Sequence, residues 1–292
     1  MYYSREQFCD EANLVQRGED LDLLLQEASV SEQEKQEALM EYLQLLQNHR
    51  AAKVGIAFTE RMMERVANAF SVHPTSELAV DLLYNCLLVQ EFHAMDFDHW
   101  RSHPSIQKCE NALISLESDG RFSDCFRFCQ ESAATYAEAR FWPEALEYAK
   151  RAHGYSKKLL QQKITLLENG EMLDLRDTAC LICEYALHTA DGISSGLQAE
   201  LQKDLGAEDF QFVMQEAMDS VSDTTVDPVE FTSEYLAIRY DLEEKIDEAL
   251  DHQRGYYDYA KDYWMAKKLI LRSEYNIHWK SPAMLNPGEY EE

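Results

Sequence analysis

Glycine and proline are scarce in this sequence, with 10 and 6 residues in a chain of 292. An all-β protein of this length would need many more turn residues, so the scarcity favours long helices with short connections. Basic residues are also few, because 27 Lys and Arg stand against 54 Asp and Glu, for a formal net charge of −27. Such a surface repels polyanions, and we expect no direct binding to nucleic acid or to anionic membranes. Three interpretations of the acidic charge stay open: it only keeps the protein soluble, it binds a basic partner, or it mimics nucleic acid.

Long apolar runs are absent as well. No stretch approaches the ~20 apolar residues that span a bilayer, and the N-terminus runs into charged sequence without the apolar segment of a secretory leader. The seven cysteines lie mostly at apolar helical positions, as reduced core residues do. Cys180 and Cys183 form a C-x-x-C inside an apolar helical stretch, which favours core thiols over a redox or zinc site. We therefore expect a cytoplasmic protein.

Helix signals are dense along the chain. Ser4 begins a first capping box, whose helix we expect to close near Gly18, and Ser31 with Glu34 forms a second. Asp227 followed by proline predicts another helix start, and a long apolar helix beginning at Thr75 or Ser76 is expected to be central. Between these signals, three- and four-residue spacing predicts helices at about 122–139, 143–168, 174–191, 194–205 and 207–220.

One segment carries a recognisable repeat pattern. In Phe126–Leu159, Tyr136 and Ala145 are nine residues apart, and Ala152 follows seven residues later; Ala133 supplies a small residue on the first helix. This spacing resembles the tetratricopeptide-repeat (TPR) superfamily, with Ala133 in place of the usual glycine. A more divergent copy extends from Asp227 to about Trp264, where Ala249 follows Tyr240 by nine residues and Tyr256 replaces the preferred alanine.

The resemblance implies an all-α fold in which antiparallel helix hairpins stack as a right-handed solenoid. Because single TPR units do not bury their faces alone, other helix pairs should be divergent units. We predict an N-terminal helical region over residues 1–120, a TPR-like region over 121–280 and a mobile tail over 281–292. The predicted stretch 143–168 is long for a second TPR helix.

The resemblance also implies a concave face formed by the first helices of the hairpins. Such a face binds a protein or an extended peptide, and basic partners are among those that the acidic composition allows. Carried over by position, the face comprises Arg127, Gln130, Ala134, Ala137 and Glu138 in the first copy, and Phe231, Glu234, Ile238, Asp241 and Leu242 in the second.

Two other clusters suggest alternatives. His93, Asp96, His99 and His103 could supply metal ligands, since His99 and His103 have the i, i+4 spacing of one helix face. Lysines interleave with an aromatic cluster that could bind a partner or pack in the core, and we favour packing. The aromatic residues are Tyr256, Tyr257, Tyr259, Tyr263 and Trp264.

No phosphate loop, nucleophile elbow, kinase signature or recognised zinc pattern is present in the sequence. We therefore expect a non-catalytic interaction protein without a cofactor. Two alternatives stay open: an acidic nucleic-acid mimic that occupies a nucleic-acid-binding protein, and a metal-dependent helical enzyme that uses the histidine cluster. The partner and the oligomeric state are not determined by the sequence.

Overall fold

The computed structural model describes residues 11–167, 170, 172–221, 225–250 and 259–288. Within these residues every regular element is helical, which confirms the all-α prediction, and Leu166 and Met172 form an isolated β-bridge. Two short 3₁₀-helices, His99–Ser102 and Pro228–Phe231, accompany the α-helices. The α-helices are α1 (Glu11–Gln26), α2 (Glu32–Asn48), α3 (Ala52–Val72), α4 (Ser76–Met95), α5 (His103–Lys108), α6 (Glu110–Ser118), α7 (Phe122–Glu138), α8 (Trp142–Gln161), α9 (Leu175–Leu187), α10 (Ser195–Leu205), α11 (Ala207–Ser220), α12 (Ser233–Ala249), α13 (Tyr259–Glu274) and α14 (Pro282–Leu285).

The chain divides into two compact units, Met1–Asp124 and Cys125–Glu292. The division falls inside α7, next to the boundary that the sequence suggests at residue 120. None of the helices in the described parts of the chain is both long enough and apolar enough to cross a bilayer.

The first unit is built on α1 to α6. The predicted capping box is confirmed at α2, where Ser31 accepts a hydrogen bond from the backbone of Glu34 and the Glu34 carboxylate bonds the Ser31 backbone. Thr75 caps α4, which is central as predicted and buries residues on more than one side. A core cluster of α1 to α4 contains Leu14, Leu21, Tyr42, Leu43, Leu46, Val54, Phe58, Leu88 and Phe92.

Gly18 does not end α1, and that prediction is wrong. The helix continues to Gln26, and Gly18 is buried against α2, where an added Cβ would lie 2.5 Å from the Tyr42 hydroxyl oxygen. That hydroxyl donates a 2.7 Å hydrogen bond to the Leu14 carbonyl. The glycine therefore permits a close contact between α1 and α2. Ser4, at which the sequence predicts the start of this helix, lies outside the described residues.

The second unit begins with α7 and α8. α8 ends at Gln161, so the predicted continuation to residue 168 is wrong: the chain turns at Lys163, which has a positive φ of 63°, and Leu173 then bonds back to Thr165. Further along, Asp227 caps a 3₁₀-helix and Thr232 caps α12, so the start predicted at Asp227 is split between two elements.

The C-terminal part of the second unit has its own core between α12 and α13. Its buried hydrophobic residues are Tyr235, Leu242, Ile246, Leu271 and Trp279. Asn286, in the segment predicted as a tail, bonds both the amide and the carbonyl of Thr225. Residues 289–292 lie outside the described residues.

Candidate functional site

The first predicted concave row lies on the outer side of α7. Arg127, Ala134 and Glu138 are exposed, and Gln130 and Ala137 are half-buried. The opposite side of the same helix packs inward, because an α-helix with a period of 3.6 residues separates the two sets. The buried residues are Cys125, Phe126, Phe128, Cys129, Ser132, Ala133 and Tyr136.

Aromatic contacts hold α7 against α8. The Tyr148 ring centroid lies 6.3 Å from that of Phe128 and 5.5 Å from that of Tyr136, and Tyr136 also stacks on Phe141 at 6.3 Å. The three alanines at the expected small positions, Ala133, Ala145 and Ala152, are at most 2% exposed. The small residues of α7 and α8 are therefore buried.

The start and the middle of α8 contact opposite ends of α9. Trp142, at the start of α8, stacks on His188 with ring centroids 4.0 Å apart and lies 6.1 Å from the Tyr185 ring, both near the end of α9. Eleven residues further along α8, His153 Nδ1 is 2.8 Å from the hydroxyl of Thr178, which lies in the first turns of α9.

A buried polar network reinforces this packing from α10. His153 Nε2 lies 3.3 Å from an Asp204 carboxylate oxygen, which also accepts a 2.5 Å bond from Lys157. Burial lowers the pKa of His153, although the Asp204 carboxylate opposes that shift. Because His153 and Thr178 are each 3% exposed, this hydroxyl–imidazole–carboxylate series joins three helices and is closed to a substrate.

The end of α7 also lies near the end of α9. Burial raises the pKa of Tyr185 to about 12, and the neighbouring carboxylates Glu184 and Glu138 add to the rise. Burial lowers the pKa of His188, and the charge of Arg140 lowers it further. The charge of Glu138 at the end of α7 therefore acts on Tyr185 near the end of α9.

A further row on α9 was missed by sequence reasoning. Asp177, Cys180 and Glu184 follow at three- and four-residue steps, on the side of α9 that is not buried. Burial raises the pKa of all three, and Glu216 of α11 adds to the rise at Cys180. Their spacing is visible in the sequence, but the apolar residues around Cys180 predict a core position for it. In the structure Cys180 is only half-buried. Burial also raises the pKa of Cys183, to about 11, so neither thiol is activated.

The second predicted row does not form in the same way. Leu242 is 0% exposed in the α12–α13 core, so its assignment to the concave face is wrong. Ala249, the small residue of the second copy, is exposed, and so is Ala237 on the same helix. α12 packs on α13 through its large residues, which leaves the alanines on the outside.

The other members of that row differ in their surroundings. Glu234 is exposed, Ile238 is partly buried against the α12–α13 core, and Phe231 lies in the 3₁₀-helix before α12. Asp241 bonds the Tyr275 hydroxyl and pairs with Lys245 at 3.2 Å. The second row is therefore not one continuous open surface.

α12 is nevertheless joined to the first hairpin. Arg239 pairs with Glu144 of α8, and its guanidinium lies 4.5 Å from the Phe141 ring centroid. Burial lowers the pKa of Arg239 to about 10, which still leaves it charged at neutral pH. The buried arginine thus connects α12 to the turn between α7 and α8.

The candidate metal residues do not converge. His93 is 3% exposed on α4, with Nε2 3.6 Å from a Glu60 carboxylate oxygen. His99 lies in a 3₁₀-helix and His103 begins α5, so the i, i+4 spacing does not place them on one α-helical face, and that interpretation is wrong. Asp96 is the C-cap of α4. Among the residues that the structure describes, no three His, Cys, Asp or Glu are grouped to hold a metal ion.

Part of the aromatic and basic cluster packs inward: Lys267 is buried next to Tyr263, whereas Lys261 and Lys268 are exposed. Lys267 is 6% exposed, and its Nζ lies 5.2 Å from the Tyr235 ring centroid, 5.9 Å from Tyr263 and 4.6 Å from Trp279. The same Nζ is 3.2 Å from a Glu230 carboxylate oxygen, to which the Trp279 indole N–H also donates. Tyr256 and Tyr257 lie outside the described residues.

No protein-family model, curated protein or solved structure matches this chain. The function must therefore be inferred from the geometry of each unit by itself.

Proposed function

We propose that the second unit is a non-catalytic protein-interaction module of the TPR-like kind. Its binding surface is the α7–α9 face, which we define by Arg127, Gln130 and Glu138 of α7 and Asp177 and Glu184 of α9. The observation that carries the proposal is the succession of contacts from α7 to α8 and from α8 to α9, with a row of exposed and half-buried residues on the first and third helices.

The order of these contacts supports stacked antiparallel hairpins. Tyr148 of α8 meets the inner side of α7, Trp142 meets the end of α9 at His188, and His153 meets its beginning at Thr178. α8 therefore runs opposite to α9, and the effect of the Glu138 charge on Tyr185 supports a position of the end of α7 near the end of α9. Two parallel helices with an antiparallel helix behind them present one continuous surface, as in helical repeats.

The charge of the α7–α9 face favours a partner with basic groups. Burial holds the pKa of Asp177 and Glu184 above the ordinary value, since both carboxylates are partly removed from water. A lysine or arginine of a partner would stabilise their charged forms. Binding would then take place with release of protons, and would weaken as the pH falls and the carboxylates become protonated.

The test is charge reversal on the α7–α9 face. Affinity capture from source cells with mass spectrometry identifies the partner, and calorimetry then compares Glu138→Lys and Glu184→Lys with the matched control Glu147→Lys, an exposed carboxylate of α8. We expect each face variant to weaken binding about tenfold or more, which is about 1.4 kcal/mol. The control should bind within about twofold of the native chain.

Two results would overturn the proposal. One is a captured partner that binds both face variants as tightly as the native chain. The other is recovery of no protein or peptide under gentle conditions, which would direct attention to a small-molecule or catalytic role.

A further inference from the structure

An exposed basic and apolar surface lies on the outer side of α13. Met265 and Leu269 are 51% and 67% exposed, and their i, i+4 spacing places them side by side on the helix. Lys261, Lys268 and Arg272 are exposed along the same side of the helix. We call these five residues the α13 stripe.

The cations of the α13 stripe form a basic surface in an acidic chain. Acidic residues outnumber basic ones two to one, and two arginines of α3, Arg61 and Arg65, both pair with Asp22. No carboxylate among the described residues pairs with the three cations of the α13 stripe, and Lys268 Nζ instead contacts the Met284 sulfur at 3.6 Å. Met284 is itself 53% exposed and extends the apolar surface.

A surface of opposite character lies on α1. Val15 and Leu23 are 43% and 67% exposed, and the exposed Glu19 lies midway between them at i, i+4, i+8 spacing. Asp20 and Glu27 are exposed beside this row. We call these five residues the α1 stripe; Asp22, which pairs with the arginines of α3, is not part of it.

We propose that the α13 stripe of one copy of this chain binds the α1 stripe of a second copy. Each stripe offers two exposed apolar side chains at helical spacing, and their charges are opposite, so contact would bury the apolar groups and neutralise both rims. The contact is heterologous, because two different surfaces of the chain meet. It is also small, and two chains of net charge −27 repel each other, so the association is weak and depends on salt to screen that repulsion.

The experiment measures the mass of the full chain by sedimentation equilibrium at about 0.15 M salt, where the Debye length is about 8 Å. One variant carries Lys268→Glu with Arg272→Glu, and the other carries Glu19→Lys with Asp20→Lys. Lys150→Glu, an exposed reversal on α8, is the control. Circular dichroism checks that each variant keeps its helices, which is expected because every changed side chain is exposed.

The native chain and the control should gain mass as concentration rises, while each double variant alone stays monomeric. An equimolar mixture of the two double variants should associate again, because the unchanged α13 stripe of one meets the unchanged α1 stripe of the other, and the two reversed stripes are also opposite in charge. A native chain that stays monomeric up to about 1 mM, where weak contacts still form, overturns the proposal. So does a mixture that stays monomeric, or a double variant that associates like the native chain.

Discussion

Replacing Gly55 by alanine places a methyl group where the ring of Phe92 already lies. The added Cβ would be 2.2 Å from Cδ1 and 2.3 Å from Cε1 of that ring, whereas carbon atoms in contact are about 3.5–4.0 Å apart. Phe92 is 0% exposed, so other core atoms surround the ring and oppose its displacement. α3 and α4 must therefore separate, or the ring must leave its rotamer.

The magnitude follows from two opposing effects. Overpacking a well-packed core costs about 1–3 kcal/mol, and a rigid ring places this site at the upper end. Alanine is more favourable than glycine in a helix by about 1 kcal/mol. The net expectation for Gly55→Ala is a loss of about 2 kcal/mol in the free energy of unfolding of the first unit.

Gly154 is the matched control. It lies inside α8, and an added Cβ there would have no neighbouring atom within 4 Å. Gly154→Ala should therefore stabilise the second unit by about 0.5–1 kcal/mol. The same substitution in two helices thus has opposite expected signs, and only the tertiary neighbour differs.

The assay is urea unfolding, with hydrogen exchange of the α3 and α4 amides as the local measure. Because the chain forms two compact units, a single two-state transition is not assumed. A Phe92→Leu background should relieve much of the cost of Gly55→Ala, as a double-mutant cycle would detect. If Gly55→Ala raised stability as Gly154→Ala does, the reasoning about the α3–α4 contact would be refuted.

Two further predictions concern buried charged groups of the second unit. Burial lowers the pKa of His153, so near pH 6.5 the unfolded chain binds a proton at this side chain more readily than the native state does. The free energy of unfolding should therefore fall as the pH falls from 7 to 5. His153→Gln should make this fall smaller, as measured by the midpoints of urea unfolding. Asp204, whose pKa is lowered, titrates below that window. Lys267→Met should cost about 3 kcal/mol, because Glu230 loses its cation in a mostly buried site. Adding Glu230→Gln to Lys267→Met should recover part of that cost. The control Lys268→Met, at an exposed position, should change stability by less than about 0.5 kcal/mol. Equal effects of the two lysine variants would contradict the assignment of Lys267 to the core.

The helical class and several helix starts could be read from the sequence because their signals are local. The capping box of Ser31 and Glu34 involves residues three apart, and it forms as predicted. The outer and inner sides of α7 follow from a period of 3.6 residues, and Arg127 and Tyr136 lie on the expected sides. The sequence by itself therefore determined what a helix needs within its own length.

The tertiary structure decided which neighbour each helix packs against. Leu242 has the spacing of a face residue, but α13 covers it, and no local signal says which side of α12 will meet α13. Glycine is common at helix ends, yet Gly18 lies inside α1 at the point where Tyr42 approaches that helix. Lys267 resembles its exposed neighbour Lys268 in the sequence, and only the rings around it make it a core residue. Burial and charge pairing depend on residues distant in the chain, which is why they required the folded structure.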